Sequence, residues 1–149
     1  MPAPMTAPFL LDPQLDAATI PVGRLALSRL RLMDDRRFPW MLLVPERADA
    51  AEIIDLAPAD RQLLMDEIGL VSGLVRDLWG PDKLNVGALG NRVRQLHVHV
   101  VARFVSDPAW PGPVWGHGAA EPYPPHLAGI TVDRMVDWLE PHGLAEPRR

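Results

Sequence analysis

A chain of 149 residues that is 48% hydrophobic and 23% charged has the size and apolar content of a single globular domain, able to stand alone or as a dimer subunit. Its net charge of -4 excludes the broad electrostatic footprint of a nucleic-acid polymer binder, while small phosphorylated ligands in a local basic pocket stay compatible with it. The lack of cysteine excludes disulfides and thiolate chemistry and restricts any metal site to histidine and carboxylate ligands.

The N-terminus, Met1-Pro2-Ala3-Pro4-Met5-Thr6-Ala7-Pro8, has no basic region followed by an apolar core, and no later stretch is long and apolar enough to span a bilayer. A soluble, cytoplasmic protein with no membrane partner is the expectation. The prolines predict an irregular tail over residues 1–8, ahead of one domain over residues 9–149. Asp12-Pro13-Gln14 is a turn signal, and Thr19-Ile20-Pro21-Val22-Gly23 reads as a short edge strand because proline cannot donate to a ladder. In the run from Leu25 to Met33, Leu30 and Leu32 alternate with Arg29 and Arg31, which predicts a strand with one wet face. Asp34-Asp35-Arg36-Arg37 then makes a polar turn into a second strand, Phe38 to Val44, forming an antiparallel hairpin that Pro45 stops.

After a short helical turn at Ala51 to Ile54, Pro58 opens the main helix, in which Leu64, Ile68, Val71, Val75 and Leu78 share one stripe. Gly69 and Gly73 inside it each cost about 1 kcal/mol relative to alanine, which predicts a close approach to another backbone. Trp79-Gly80-Pro81 ends the helix, and Lys83 to Leu89 follows as a strand. Gly90-Asn91 reads as a tight turn joining it, as a second hairpin, to Gln95-Leu96-His97-Val98-His99-Val100-Val101. If that stretch is extended, alternate side chains lie about 6.6 Å apart on one face, so Gln95, His97 and His99 form a polar row while Leu96, Val98 and Val100 pack behind it. Beyond Phe104 an arm rich in proline and glycine carries Trp110 and Trp115, which must lie against something. A C-terminal helix runs from a Thr131 cap to Leu139. The sum is an α+β domain with an antiparallel sheet of about five strands, one long helix and a C-terminal helix.

The stretch Gln95 to Val101 resembles the signature of the histidine triad superfamily, three histidines alternating with apolar residues, with glutamine standing in for the first histidine. The resemblance covers roughly residues 9–116. It includes the Asp34 to Trp40 hairpin ending in Leu43-Val44-Pro45, the long helix, and Leu84-Asn85-Val86 ahead of Gly90-Asn91. The Ala109 to Trp115 arm further resembles a bacterial branch of the superfamily. The resemblance implies a homodimer that acts on a nucleotide or nucleotide conjugate, such as a diadenosine polyphosphate or an adenosine phosphoramidate, as a hydrolase or nucleotidyl transferase. It makes His97 the nucleophile that forms a covalent nucleotidyl intermediate, His99 an assisting proton donor and Gln95 a supporting, orienting residue. Gly90 and Asn91 become phosphate contacts with Asn85 as a helper to the substrate site, Arg92 either clamps the phosphate or faces water, and Asp34 becomes the carboxylate that accepts from ribose hydroxyls. It requires no cofactor and no protein-bound metal, with a divalent cation such as Mg able to accompany the substrate phosphates.

The chemistry of these residue types agrees. An imidazole titrates near pH ~6.5, so its neutral form is a competent nucleophile and a reasonable leaving group from phosphorus. One ring nitrogen must be free while the other donates, commonly to a backbone carbonyl. An amide at Gln95 can orient a neighbour but exchanges no proton near neutral pH, which keeps a second reading open: a non-catalytic or weakly active nucleotide-binding dimer. Histidines two apart on a strand also suit zinc, for which His117 or His126 would have to supply a third ligand.

Overall fold

A computed structural model describes residues 7–147 of the chain; of the expected tail, only Ala7 and Pro8 fall inside that range, and they carry no regular structure. The architecture is an antiparallel sheet with helices on both faces. In chain order the elements are α1 (Pro13–Ala18), β1 (Thr19–Arg24), β2 (Ser28–Met33), β3 (Trp40–Pro45), α2 (Pro58–Trp79), β4 (Lys83–Gly87), β5 (Val98–Arg103), α3 (Pro125–Leu139) and β6 (Glu146–Pro147), with a 3-10 turn at Ile53–Asp55. The strands lie in the order β4-β5-β3-β2-β1-β6.

The sheet therefore has six strands rather than about five. The extra strand is the C-terminal β6, which pairs with Gly23 and Arg24 and so removes β1 from the edge position. Gly23 permits this: a Cβ there would come within 2.5 Å of the Glu146 carbonyl oxygen. Pro21 is tolerated because the β1–β2 register shifts between Pro21 and Gly23, an irregularity that spares the missing donor.

Strand alternation divides the side chains between two cores. Leu30, Leu32, Met41, Leu43, Val98 and Val100 join the cluster built on α2 and α3, while Trp40, Leu42, Val44 and Val101 join a smaller one with Leu15, Phe38 and Val114. The second cluster is roofed by α1 and by the arm after β5, so the face expected to be wet is covered. Arg31 is 5% exposed there, paired with Asp16 at 2.8 Å and bonded to the Thr19 hydroxyl at 2.6 Å. The roof begins where Asp12-Pro13-Gln14 opens a helix instead of making only a turn: the Asp12 carboxylate accepts from the Gln14 amide, and Pro13 occupies the first helical turn.

Helix α2 closes on Gly80 in the left-handed region, at φ 59°. Its glycines do not meet another backbone: nothing lies within 4 Å of a Cβ at Gly69, and Gly73 faces the Trp138 indole of α3. Helix α3 starts at Pro125, ahead of the expected Thr131, because Pro125 suits a first turn and the Thr131 hydroxyl bonds back to the Leu127 carbonyl within the helix.

Glu67 is buried on α2, with Oε2 accepting from the Leu27 amide at 2.9 Å and Oε1 unpaired. Burial outweighs that amide and raises its pKa above the ordinary carboxylate value. The native state holds the proton to higher pH than the unfolded chain does, so this contribution is full at low pH and lost as pH rises through the native pKa. Glu67→Gln is therefore expected to gain stability over the parent as pH rises, a divergence that denaturation midpoints measured from pH 4.5 to 8 will show or refute.

Candidate active site

The tight turn expected at Gly90-Asn91 is in fact an irregular connection over residues 88–97, since β4 ends at Gly87 and β5 begins only at Val98. Leu96 breaks the ladder by donating its amide to the Ala50 carbonyl at 2.9 Å. Gln95 and His97 thus sit before the strand, and only His99 lies within it.

The His97 ring is 5.0 Å from that of His99, centroid to centroid. His97 Nδ1 lies 2.7 Å from the Gln95 carbonyl oxygen. A carbonyl only accepts, so Nδ1 carries the proton and the Nε2 lone pair is left available. Gly90 backs the same ring: a Cβ there would stand 2.8 Å from His97 Cε1 and 2.8 Å from the Val93 carbonyl oxygen. The loop needs glycine for proximity, not for an unusual backbone angle.

His99 is 3% exposed and has both nitrogens engaged. Trp40 Nε1 donates to its Nδ1 at 2.9 Å, which places the ring proton on Nε2, where it is donated to the Leu89 carbonyl at 2.8 Å. The Trp115 ring stands edge-on at 5.3 Å. Burial, joined by repulsion from His97 and opposed by the Leu89 bond, lowers its pKa from 6.5 to about 4. His99 is thus a neutral imidazole at neutral pH with no nitrogen turned toward a ligand, an arrangement that suits support of the site better than the proton donation expected of it. Because the native pKa is depressed, the unfolded chain takes up a proton first: stability is intact above pH 6.5 and falls as pH drops toward 4, by about 3 kcal/mol in all. Urea denaturation at pH 7.5 and 4.5 will test this, with His99→Asn losing less stability between the two than the parent.

Around His97 a cleft of about 370 Å³ is lined by Gly90, Asn91, Arg92, Arg94 and Gln95. The structure brings the expected Gly90, Asn91, Arg92 and Gln95 together around His97 and places two other expected residues elsewhere. Asn85 Oδ1 accepts from Arg103 Nη1 at 2.8 Å, and Arg103 pairs with Asp107 at 2.8 Å, tying down the arm that delivers Trp115 to His99. Asp34 Oδ1 accepts from the Tyr123 amide at 2.8 Å, at the far end of β2. Trp40, Trp115 and Arg94 were not singled out for the site from the sequence. For Trp40 a signal follows once the register is known: Leu42 pairs with His99, so Trp40, two residues earlier on β3, shares that face. Trp115 carried only the need of a large aromatic for cover. Among the described residues no three His, Asp or Glu side chains converge as a metal would need, so His117 and His126 complete no ligand set. No described helix is long and apolar enough to cross a membrane.

Fold and cleft together define an α+β protein with a histidine-bearing cleft, and comparison with known proteins specifies its family. A model of the HIT domain matches residues 16–105. The chain belongs to the HIT domain family. Among solved structures it resembles a histidine triad protein of Sinorhizobium meliloti 1021, with 50% identity and a TM-score of 0.85 over 87% of this chain and 96% of that one. A histidine triad protein of Bradyrhizobium japonicum is 41% identical, with a TM-score of 0.84 and the same coverage of 87% and 96%. One of Marinobacter aquaeolei VT8 is 38% identical, with a TM-score of 0.88 over 91% and 98%. No curated protein matches.

Proposed function

We propose that the protein is a nucleotide hydrolase or nucleotidyl transferase that cleaves dinucleoside polyphosphates through a covalent nucleotidyl-His97 intermediate. The observation that carries this is the bond from His97 Nδ1 to the Gln95 carbonyl, which leaves Nε2 free beside the Gly90-Asn91-Arg92 turn. Nε2 donates its lone pair to the α-phosphorus, and the bond to the bridging oxygen breaks with its electrons leaving on the departing phosphate. The Gln95 carbonyl stabilises the proton on Nδ1 as the ring gains positive charge. Water, or another acceptor in a transferase, then displaces the imidazole from phosphorus and regenerates His97. Backbone amides of the turn, the Asn91 amide and the Arg92 and Arg94 guanidiniums offer donors for phosphate oxygens. A divalent cation such as Mg would arrive with those phosphates, outside any site built by the protein.

The surroundings of His97 favour phosphoanhydrides over phosphoramidates. A polyphosphate departs as a stabilised anion, whereas an amine needs a proton at departure. His99 has its nitrogens engaged and Gln95 has no proton to give. The second reading, a nucleotide binder with little turnover, draws on the same scarcity of proton donors. A homodimer is supported by the outer edge of β4, which pairs with no described strand and leaves Val86 and Leu89 exposed. The test is incubation with diadenosine tetraphosphate and with an adenosine phosphoramidate, followed by AMP assay and mass spectrometry of the quenched protein. Faster AMP release from the polyphosphate and an adenylyl group on His97 support the enzyme reading. Nucleotide binding with neither product would favour the binder.

A further inference from the structure

We propose that Gln95 is a positioning residue for an N-terminal strap, and that the strap walls a groove for the second nucleoside, the departing half of a dinucleoside polyphosphate. This rests on the reading of His97 as the attacking residue.

The side chain at the first triad position does not turn toward the reacting centre. Its Nε2 donates to the Leu10 carbonyl at 2.8 Å and its Oε1 accepts from the Asp12 amide at 2.9 Å, so both halves of the amide grip one segment from across the sequence. A neutral imidazole has one donor and one acceptor on a rigid ring and matches this pair of backbone groups less readily than a carboxamide on a flexible stem. The gripped segment has no regular structure of its own before α1. It is otherwise held by Leu11 on the smaller core and by Phe9, whose ring lies 5.0 Å from the Arg29 guanidinium carbon. Gln95 therefore acts twice, through its carbonyl on His97 and through its side chain on the strap.

What the strap encloses gives the grip a purpose. The cleft at His97 shares Ala51, Arg94 and Gln95 with an adjoining space of about 330 Å³. That space shares Asp49 and Ala50 with a groove of about 910 Å³, whose far wall is Ala7, Pro8 and Phe9. Ligand pockets run to about 300–1,000 Å³, so the cleft suits one nucleotide and the groove has room for a further one. Charge is graded along this path. Arg92 and Arg94 flank the His97 end, where phosphates belong. At the strap end Glu46 is neutralised by Arg24 and Arg29, and Asp60 by Arg47, while the Asp49 carboxylate has no ion pair among the described residues. Asp49 can accept from ribose hydroxyls or a base amino group, and the half-buried Phe9 ring offers a face to a base.

The experiment is calorimetric titration of the parent, Gln95→Ala and Phe9→Ala with AMP and with a methylene-bridged diadenosine tetraphosphate, alongside hydrogen exchange over residues 9–12. The parent is expected to bind the dinucleotide more tightly than AMP. Gln95→Ala is expected to reduce that affinity ratio about tenfold and to speed exchange in the strap. Phe9→Ala, with the amide grip retained, is expected to reduce the ratio in the same direction. An unchanged ratio in both variants, a parallel loss for both ligands, or equal affinities in the parent would overturn the proposal. Failure to trap a nucleotide on His97 while the ratio behaves as described would count against the nucleophile alone.

Discussion

His97→Ala is expected to lower AMP release from a dinucleoside polyphosphate by roughly 10⁴-fold or more, the scale on which covalent nucleophiles are missed. Water and the Gly90 to Arg94 donors would remain, but the Nε2 lone pair of His97 would be gone. Since His97 is 5% exposed and gives the Gln95 carbonyl its hydrogen bond, truncation also leaves a buried acceptor unpaired. His97→Asn is the control for that cost, because its amide can still donate to the Gln95 carbonyl while offering phosphorus no nucleophile. Both variants should be equally inactive, with Asn the more stable in thermal denaturation. Turnover in either at a tenth of the parent rate would remove His97 from the role.

The second large effect is expected at Gly90→Ala, a single methyl outside the reacting groups. Its Cβ would meet both His97 Cε1 and the Val93 carbonyl oxygen at 2.8 Å, far inside normal contact. The ring cannot withdraw freely, because its Nδ1, 3.5 Å from the same Cβ, is held by the bond to the Gln95 carbonyl, so the imidazole must tilt or the loop must shift. A displacement near 1 Å at a reacting atom costs about 10²-fold in rate. The expected signature is a kcat lower by about that factor with a smaller change in nucleotide affinity, measured by single-turnover kinetics and titration with AMP. A variant with the parent's kcat would mean that Gly90 does not set the ring's position.

Placed side by side, the two variants separate what His97 is from where it is. The first removes the lone pair and the second leaves it in place but misdirects it. Gln95 stands between them, since its carbonyl selects the His97 tautomer whatever its side chain does. Substitution at this first triad position therefore spares the bond that fixes the His97 tautomer, and the departure from the three-histidine pattern is compatible with the activity proposed.

The long helix, the two hairpin strands Ser28–Met33 and Trp40–Pro45, and the apolar backing of the histidine strand were legible in the sequence because each depends on short-range periodicity and on residues that start or stop an element. The same is true of His97 with a free nitrogen, since the motif places a histidine beside carbonyls that can hold its tautomer. Other features depend on contacts between distant parts of the chain. The strand formed by Glu146–Pro147 needs Gly23 opposite it, and the burial of Arg31 needs α1 folded over its face. The late start of β5 follows from Gly90 seated against His97 and Leu96 bonded to Ala50. The occupied nitrogens of His99 require Trp40 and Leu89, and the tether from Gln95 to Leu10 and Asp12 joins residues more than eighty apart. Local propensity carries no information about such pairs, because alternation states only that Gln95, His97 and His99 could share a face. Tertiary packing decides what each meets there: for His97 an open cleft, for His99 two tryptophans and a carbonyl, and for Gln95 the backbone of the N-terminal segment.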